Sequence, residues 1–504
     1  MMSLDPEDRN SAASSLLSEM KGRGVQLSID DGVLRFRAPP GALDRETRER
    51  ISGLRDEIMT ILSGGQPGRE PLSERQLRLW LIHKRQKSSR EYQMSAVFRL
   101  TGPLDVTRLE LALGAVIEDN PALQKVVTVD QGEPVLTTHS SGRPKIPVLE
   151  VSGASDGVIQ QIAAEIAAQP IDLAEGPLIR AVLLRLAPLR HAFVLVVHHI
   201  ICDDHSMRLI CHKLLTCYEA SSVPGREIGR SSVAVADQAA TASQATVSSG
   251  QVSARREALN TAGVTRLPQP LSPASTPPWS ASSHITLLDR KARGKWEDGR
   301  RSAGVTTLIL TLALIGVAVA ACGGPADVLV GTPWVGRESA AESMTVGYYA
   351  TTIVVRVNLR ACLSFGDLLD LVRHDFREAL AVRQVPYETF AGAASHSAYG
   401  GHVLWVVTYA VDPLPTVTGL DVEPVFLDGE QARHDLRVAL ADRLDMLEIR
   451  QTYRLSAVDA QFASRLAAAL GLLHRAVPDR RALLSEVIAG LRHQLEINPS
   501  WLPT

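Results

Sequence analysis

Residues 192–200, AFVLVVHHI, form a nearly unbroken apolar run that ends in two adjacent histidines. A strand with one wet face alternates polar and apolar residues, whereas a continuous run belongs to a strand covered on both faces. Directly after it, HSMRLICHKLLTCYEA (205–220) sets Met207, Ile210, Cys211, Leu214, Leu215 and Tyr218 at helical spacing. A buried strand feeding an amphipathic helix needs other elements to cover it, which points to an α/β fold. SAVFRL (95–100) alternates like a strand, and DVTRLELALGAVIEDN (105–120) and VIQQIAAEIAAQP (158–170) have helical period.

The same mixed pattern returns later in the chain. It predicts strands at 284–289, near 327–332 and 351–357, and at 403–410, 435–441 and 445–453. It predicts helices over 305–322, 365–380 and 459–477, the last of them as the final helix. Two α/β lobes result, 71–235 and 284–504, joined by a Ser-, Ala-, Thr- and Pro-rich stretch at 236–283 that reads as a linker with room for weak helices. The first 65 residues read as a separate small unit. Leu16, Leu17 and Met20 share a helix face; GVQLSID and VLRFRAP are short alternating segments around the turn signal DDG; LDRETRERISGLRDEIMTIL (43–62) is a second helix. SGGQPGREP (63–71) reads as a flexible linker.

A formal net charge of -2 argues against a nucleic-acid binder, which carries a basic domain or stripe. Cys202, Cys211, Cys217, Cys322 and Cys362 are irregularly spaced and odd in number, as for reduced thiols. MMSLDPEDRN is acidic and polar, unlike a signal peptide. The longest apolar run (306–322) falls short of the ~20 residues that a membrane span needs and reads as a buried core helix. Together these give a cytoplasmic expectation.

The chemistry is concentrated in HHIICDDHS (198–206). His198, His199, Asp203 and His205 are metal-ligand types, but adjacent residues on a strand point to opposite faces, which disfavours a metal site. Cys202, flanked by Ile, reads as a small buried hydrophobe rather than a nucleophile. HHIICDD (198–204) resembles the HHxxxDG motif of condensation domains of non-ribosomal peptide synthetases. Other segments agree in order: PLSERQLRLW (71–80) is similar to that family's PLSxAQxRLW, IDLAEGPLIRAVLLRL (171–186) to FDLxxGPLxRxxLxxL, VGTPWVGR (330–337) to xGTPxxGR, VGYYATTIVVRV (346–357) to GxFVNTxxxR, QVPYETF (384–390) to DxPFExL and HDLRVAL (434–440) to FDL.

The resemblance implies two chloramphenicol-acetyltransferase-like lobes in a V around a central tunnel. Carrier proteins would enter from opposite ends with thioesters on phosphopantetheine arms; no cofactor binds the chain directly. It implies His199 at the centre, as base or positioning group for an amine or hydroxyl nucleophile. Asp203 becomes a structural residue paired with Arg337, and His198 points into the fold. The first 65 residues resemble the β-hairpin docking domain of tubulysin-synthetase type. That implies an upstream carrier subunit whose acidic C-terminal tail adds to the hairpin edge, with Lys21, Arg23, Arg35 and Arg37 as the docking cations.

Three departures bear on substrate. Asp204 stands where the family has Gly, a residue suited to positive φ and close approach, and its carboxylate favours a charged His199. EDNPALQKV (118–126) replaces RHExLRT, and Thr351 replaces an Asn. The sequence ends at Thr504 with no adenylation signature or carrier GGxS site after the last helix. The expectation is a free-standing acyltransferase that meets its carrier in trans and releases a chain, plausible as ester or amide, in a hybrid polyketide and peptide assembly line. The competing reading is a degenerate domain that recruits other proteins. An epimerisation domain shares the paired histidines; a heterocyclisation domain replaces them with aspartate and is disfavoured.

Overall fold

The structure is a computed structural model. It describes residues 12–39 and 44–62 (except 14, 18, 21, 22, 24, 31 and 32), 69–85, 92–139, 142–221, 247–262, 266–271, 280–390, 404–410, 414–425 and 434–497 (except 444). The small N-terminal unit is built on an antiparallel hairpin of β1 (Gln26–Asp30) and β2 (Val33–Arg37), in register Leu27↔Phe36 and Ile29↔Leu34. Leu16, Met20, Val25 and Ile58 are buried together, with Leu27, Leu34, Ile51 and Leu54 packed on them. The single helix expected over 43–62 is two, Arg45–Gly53 and Arg55–Leu62. Gly53 is a poor helix former, and Leu54 after it leaves the helical region at φ -120.

The first lobe is a five-stranded sheet. Its strands are β4 (Gln93–Thr101), β7 (Val148–Glu150), β8 (Ile179–Ala187) and β9 (Arg190–His198), completed by β14 (Asp421–Val425) in the order β14-β4-β9-β8-β7. β9 lies between β4 and β8, and Phe193 to Val197 are each at most 2% exposed. Burial on both faces explains why this strand shows no alternation. Helices Val106–Glu118 and Asp204–Ala220 pack on each other, and Asp156–Ala168 packs on β4 and β9. A separate three-stranded sheet, β3 (Arg69–Pro71), β6 (Glu133–Thr138) and β5 (Lys125–Asp130), adjoins the lobe; its hairpin turns at Gln131–Gly132.

The second lobe is a six-stranded mixed sheet in the order β10-β16-β15-β13-β11-β12: β10 (Ala281–Leu288), β11 (Asp327–Trp334), β12 (Thr351–Asn358), β13 (Leu404–Ala410), β15 (Leu436–Asp442) and β16 (Leu447–Arg454). Its core helix is Thr307–Ala321, capped by Thr306, with every residue from Ile309 to Ala321 buried. Among the described residues no single helix is long and apolar enough to cross a membrane.

Three features extend or depart from the sequence reading. A further helix, Leu484–Ile497, follows Ala460–Arg475 and buries Leu484, Leu491 and Leu495 on one stripe. Within 236–283, read as a linker with room for weak helices, Ser249–Asn260 is a helix with a Ser248–Gln251 capping box. Its buried Arg255 is ion-paired to Asp375 at 2.7 Å, which anchors it to the second lobe. Third, the chain after residue 284 does not keep to one sheet: β14 crosses to pair with β4, and Val417 and Leu420 are buried in the first lobe's core.

The crossover is seated by close backbone packing. Gly102 has φ +133, and a Cβ there would lie 2.2 Å from Gly419 O. Glu219 also accepts from Thr418 N and Oγ1 at 2.9 and 2.7 Å. Gly102→Ala is therefore expected to destabilise the fold by about 1–3 kcal/mol, the range for strained backbone sites. Denaturant unfolding checks this; an unchanged midpoint shows that the crossover yields at no cost.

Candidate active site

β9 ends at His198, and a short 3-10 turn, His199–Ile201, leads into Cys202, Asp203 and the helix Asp204–Ala220. The two histidines diverge. His198 is 3% exposed, its Nδ1 accepts from Ile200 N at 3.1 Å, and its ring meets the His83 ring edge-on at 6.1 Å. It is a turn-forming residue inside the fold. His199 is half-buried, its N–H donates to Tyr92 O at 2.7 Å, and its Nδ1 lies 2.6 Å from Cys202 O. A carbonyl oxygen only accepts, so Nδ1 carries the proton in the neutral ring and Nε2 keeps its lone pair. The ring stands 4.8 Å from that of Tyr348, centroid to centroid.

Asp203 is 1% exposed and fully engaged. Oδ1 accepts from Ser206 N at 2.8 Å and so caps the helix. Oδ2 accepts from Arg337 Nη1 at 2.7 Å and from the backbone N–H groups of Tyr349 and Ala350 at 3.0 and 3.1 Å. Burial alone pushes this carboxyl up; the hydrogen bond and charge of Arg337, with the donors of Ser206, outweigh it and hold the group below the usual carboxylate range. Cys202 is fully buried, and burial together with the charge of Asp203 pushes its thiol well up, which leaves no thiolate to act as nucleophile.

Arg337 ties the two lobes at this point. Beyond Asp203, its Nη2 donates to Ser206 Oγ at 2.7 Å and to Thr345 O at 3.1 Å, its Nε to Glu342 O at 3.0 Å, and its guanidinium stacks 4.3 Å from the Tyr349 ring. Ser206 Oγ also bridges Gly347, donating to its carbonyl at 2.8 Å, and His205 Nε2 meets Ser343 O at 2.8 Å. Gly336 permits this approach: φ is +71, and a Cβ would lie 2.2 Å from Tyr349 O. Thus the loop between β11 and β12 is laid on the first lobe beside His199.

Asp204 corrects one expectation. It is the exposed first residue of an ordinary helix, so the position does not use the positive φ that glycine would offer. A carboxylate in a first helical turn is favourable in its own right. Thr351 opens β12 opposite Trp334 and is half-buried.

Two contributors escaped the sequence reading. Gln76, buried on the helix Glu74–Arg85, donates from Nε2 to Ile200 O at 3.0 Å and holds the histidine turn. Arg75, next to it, donates from Nη1 to Tyr349 O at 2.5 Å, across the seam. The signal for Gln76 was its place in PLSERQLRLW; that for Arg75 was a charge where the pattern has Ala.

Of the four cations expected to serve docking, Arg23 is exposed and ion-paired to Glu19 one turn back at 2.6 Å. Arg35 and Arg37 occupy β2 opposite Ser28 and Gln26; their side chains, and the whole of Lys21, lie outside the described residues.

A two-lobed α/β fold with a paired-histidine turn at the lobe seam, beside a buried aspartate–arginine pair, is the fold shared by solved condensation domains and X-domains. The chain belongs to the condensation domain family, whose model matches residues 67–478; residues 14–63 match the TubC N-terminal docking domain. Tyrocidine synthase 2 of Brevibacillus parabrevis is 25% identical over 378 residues, 74% of this chain and 10% of that protein. Phosphinothricin tripeptide synthetase PhsC of Streptomyces viridochromogenes is 26% identical over 430 residues, 81% of this chain and 39% of its own length. The chain thus spans only part of these relatives. Among solved structures, the X-domain from teicoplanin biosynthesis superposes with a TM-score of 0.68 at 24% identity, covering 83% of this chain and 97% of that one. The first condensation domain of the calcium-dependent antibiotic synthetase does so at 0.67 and 20%, covering 83% and 98%. Condensation domains as a family are amide-forming acyltransferases that work on carrier-bound phosphopantetheine thioesters.

Proposed function

We propose that this chain transfers an acyl group from a carrier-bound phosphopantetheine thioester to an amine or hydroxyl, with His199 as the group that receives or orients the nucleophile's proton. The observation that carries the reading is the bond from His199 Nδ1 to Cys202 O at 2.6 Å, which makes Nε2 the basic nitrogen. The nucleophile's N–H or O–H proton passes to Nε2 as its N or O attacks the thioester carbonyl. Collapse of the adduct breaks the C–S bond, and the imidazolium returns the proton to the departing thiolate. Asp203 and Arg337 hold the turn and take no proton. We extend the reading to chain release in a hybrid polyketide and peptide assembly line, supported by Asp204 and Thr351 departing from the usual motifs.

The test is intact-protein mass spectrometry of an acylated carrier incubated with the chain and a panel of amines and alcohols. Alcohols belong in the panel because one neighbour of this fold, from Streptomyces globisporus, was crystallised with an aryl ethanediol. New amide or ester that vanishes with His199→Ala supports the reading; no product with any nucleophile favours the alternative, a recruitment module. That alternative draws on the likeness to the teicoplanin X-domain, which was solved in complex with OxyB.

The N-terminal unit would supply the donor by pairing its hairpin with an acidic, disordered tail of the upstream carrier subunit. Deleting residues 1–65 is expected to abolish transfer from the natural carrier at low micromolar concentration and to spare a small soluble thioester. Full-rate transfer from the natural carrier by the truncated chain would overturn the docking role.

A further inference from the structure

The segment at Tyr348 and Tyr349 touches the first lobe at His199 and Arg75 as well as at Asp203. The Tyr348 ring lies 4.8 Å from the His199 ring, and Tyr349 O accepts from Arg75 Nη1 at 2.5 Å. The Arg75 guanidinium therefore sits one residue along from the ring that walls the imidazole. The ionisable groups close enough to act on it are Tyr348, Glu74 and Asp203. Glu74 is exposed, and Asp203 is already engaged by Arg337, Ser206 and two backbone donors. Among the described residues no carboxylate lies within ion-pair distance of Arg75. Burial pushes the guanidinium down from its ordinary value. This half-buried cation has no ion-paired carboxylate among the described residues, which is unfavourable unless something else supplies a counter-charge.

A strut between the lobes would need only one of the five N–H donors of an arginine, and the Ala of the family pattern needs none. The geometry points to Arg75 as a specificity-determining residue that receives an oxyanion of a substrate held beside His199. Two sources offer that chemistry, a carboxylate on the nucleophile and the phosphodiester of the carrier's arm. The planar fork of arginine suits either one bidentately. The inference rests on the acyl-transfer reading.

The experiment uses the full chain and Arg75→Ala, Arg75→Lys and His199→Ala variants. Amino and hydroxy acids are compared with their methyl esters as nucleophiles, and a phosphopantetheine donor with its N-acetylcysteamine analogue. Arg75→Ala is expected to lower the preference in kcat/KM for the anionic member of one of these pairs about tenfold, mainly through KM, the scale of one charge-assisted hydrogen bond. Arg75→Lys should keep part of it. The nucleophile pair moving identifies the carboxylate; the donor pair moving identifies the phosphate. An equal loss for both members of each pair makes Arg75 a strut and overturns the inference, as does no loss. Binding separates this from failure of the acyl-transfer reading, which loss-free His199→Ala or absence of turnover would signal. Saturation-transfer NMR compares 4′-phosphopantetheine with pantetheine and benzoate with benzamide. The native chain should favour an anionic member and Arg75→Ala should not; no preference in the native chain overturns the inference without any turnover.

Discussion

His199→Ala is expected to lower the single-turnover rate of acyl transfer from a loaded carrier by roughly a hundredfold or more, the scale of one general acid–base group. The reason is local. Nδ1 is committed to Cys202 O, so the side chain presents Nε2 as its only basic atom, and it does so at the seam where the second lobe's loop meets the first. No neighbour replaces it. His198 is turned inward with Nδ1 bonded to Ile200 N, Cys202 is buried as a neutral thiol, and Asp203 is saturated with donors. His199→Gln divides the two roles open to the ring. Glutamine reaches about as far as Nε2 and offers hydrogen bonds without basicity. A loss equal to that of alanine assigns proton transfer; retention of most of the rate assigns orientation of the nucleophile. A near-native rate in His199→Ala itself removes the histidine from the chemistry.

The parts of the fold that were legible are those where burial acts on neighbouring residues. β9 and the helix Thr307–Ala321 announce themselves because total burial leaves no polar position to break the run. The histidine turn was legible because a strand sends successive side chains to opposite faces, and the Asp203–Arg337 pairing came through the likeness of two motifs. What stayed hidden was set by distant contacts. β14 has a mostly exposed pattern and takes its identity from the edge of β4 in the other half of the chain. Ser249–Asn260 buries only Arg255 and Leu259, too little to mark a periodicity. Arg75 meets a carbonyl 274 residues away, and nothing within its own helix points there. Leu484–Ile497 differs: its apolar stripe is present in the sequence, beyond the helix at 459–477 that was expected to be the final one. Asp204 was misjudged because a family glycine was taken to mean positive φ, when the position is the first residue of a helix and any residue fits.

The largest stability effect is expected at Asp203. Asp203→Ala removes the only carboxylate ion-paired to Arg337 among the described residues, where both side chains are 1% exposed. It also strips a cap from Ser206 N and an acceptor from Tyr349 N and Ala350 N. Leaving a buried cation unpaired costs about 3–5 kcal/mol. Asp203→Asn is expected to fall in the same range despite its matching shape, because the orphaned charge and not the lost volume is the dominant cost. The double variant Asp203→Asn with Arg337→Met should recover part of the loss, since no bare guanidinium then remains. Acid adds an independent check. The folded carboxyl lies below its unfolded value of about 3.9, so the pair's contribution is complete above that pH and is lost as pH falls through the folded value. As pH falls below about 4 the native chain should therefore lose stability more steeply than the double variant. Denaturant midpoints across that range measure both effects. Equal acid slopes, or an unchanged midpoint for Asp203→Ala, would mean that the seam is held without this pair and that its geometry serves the histidine turn alone.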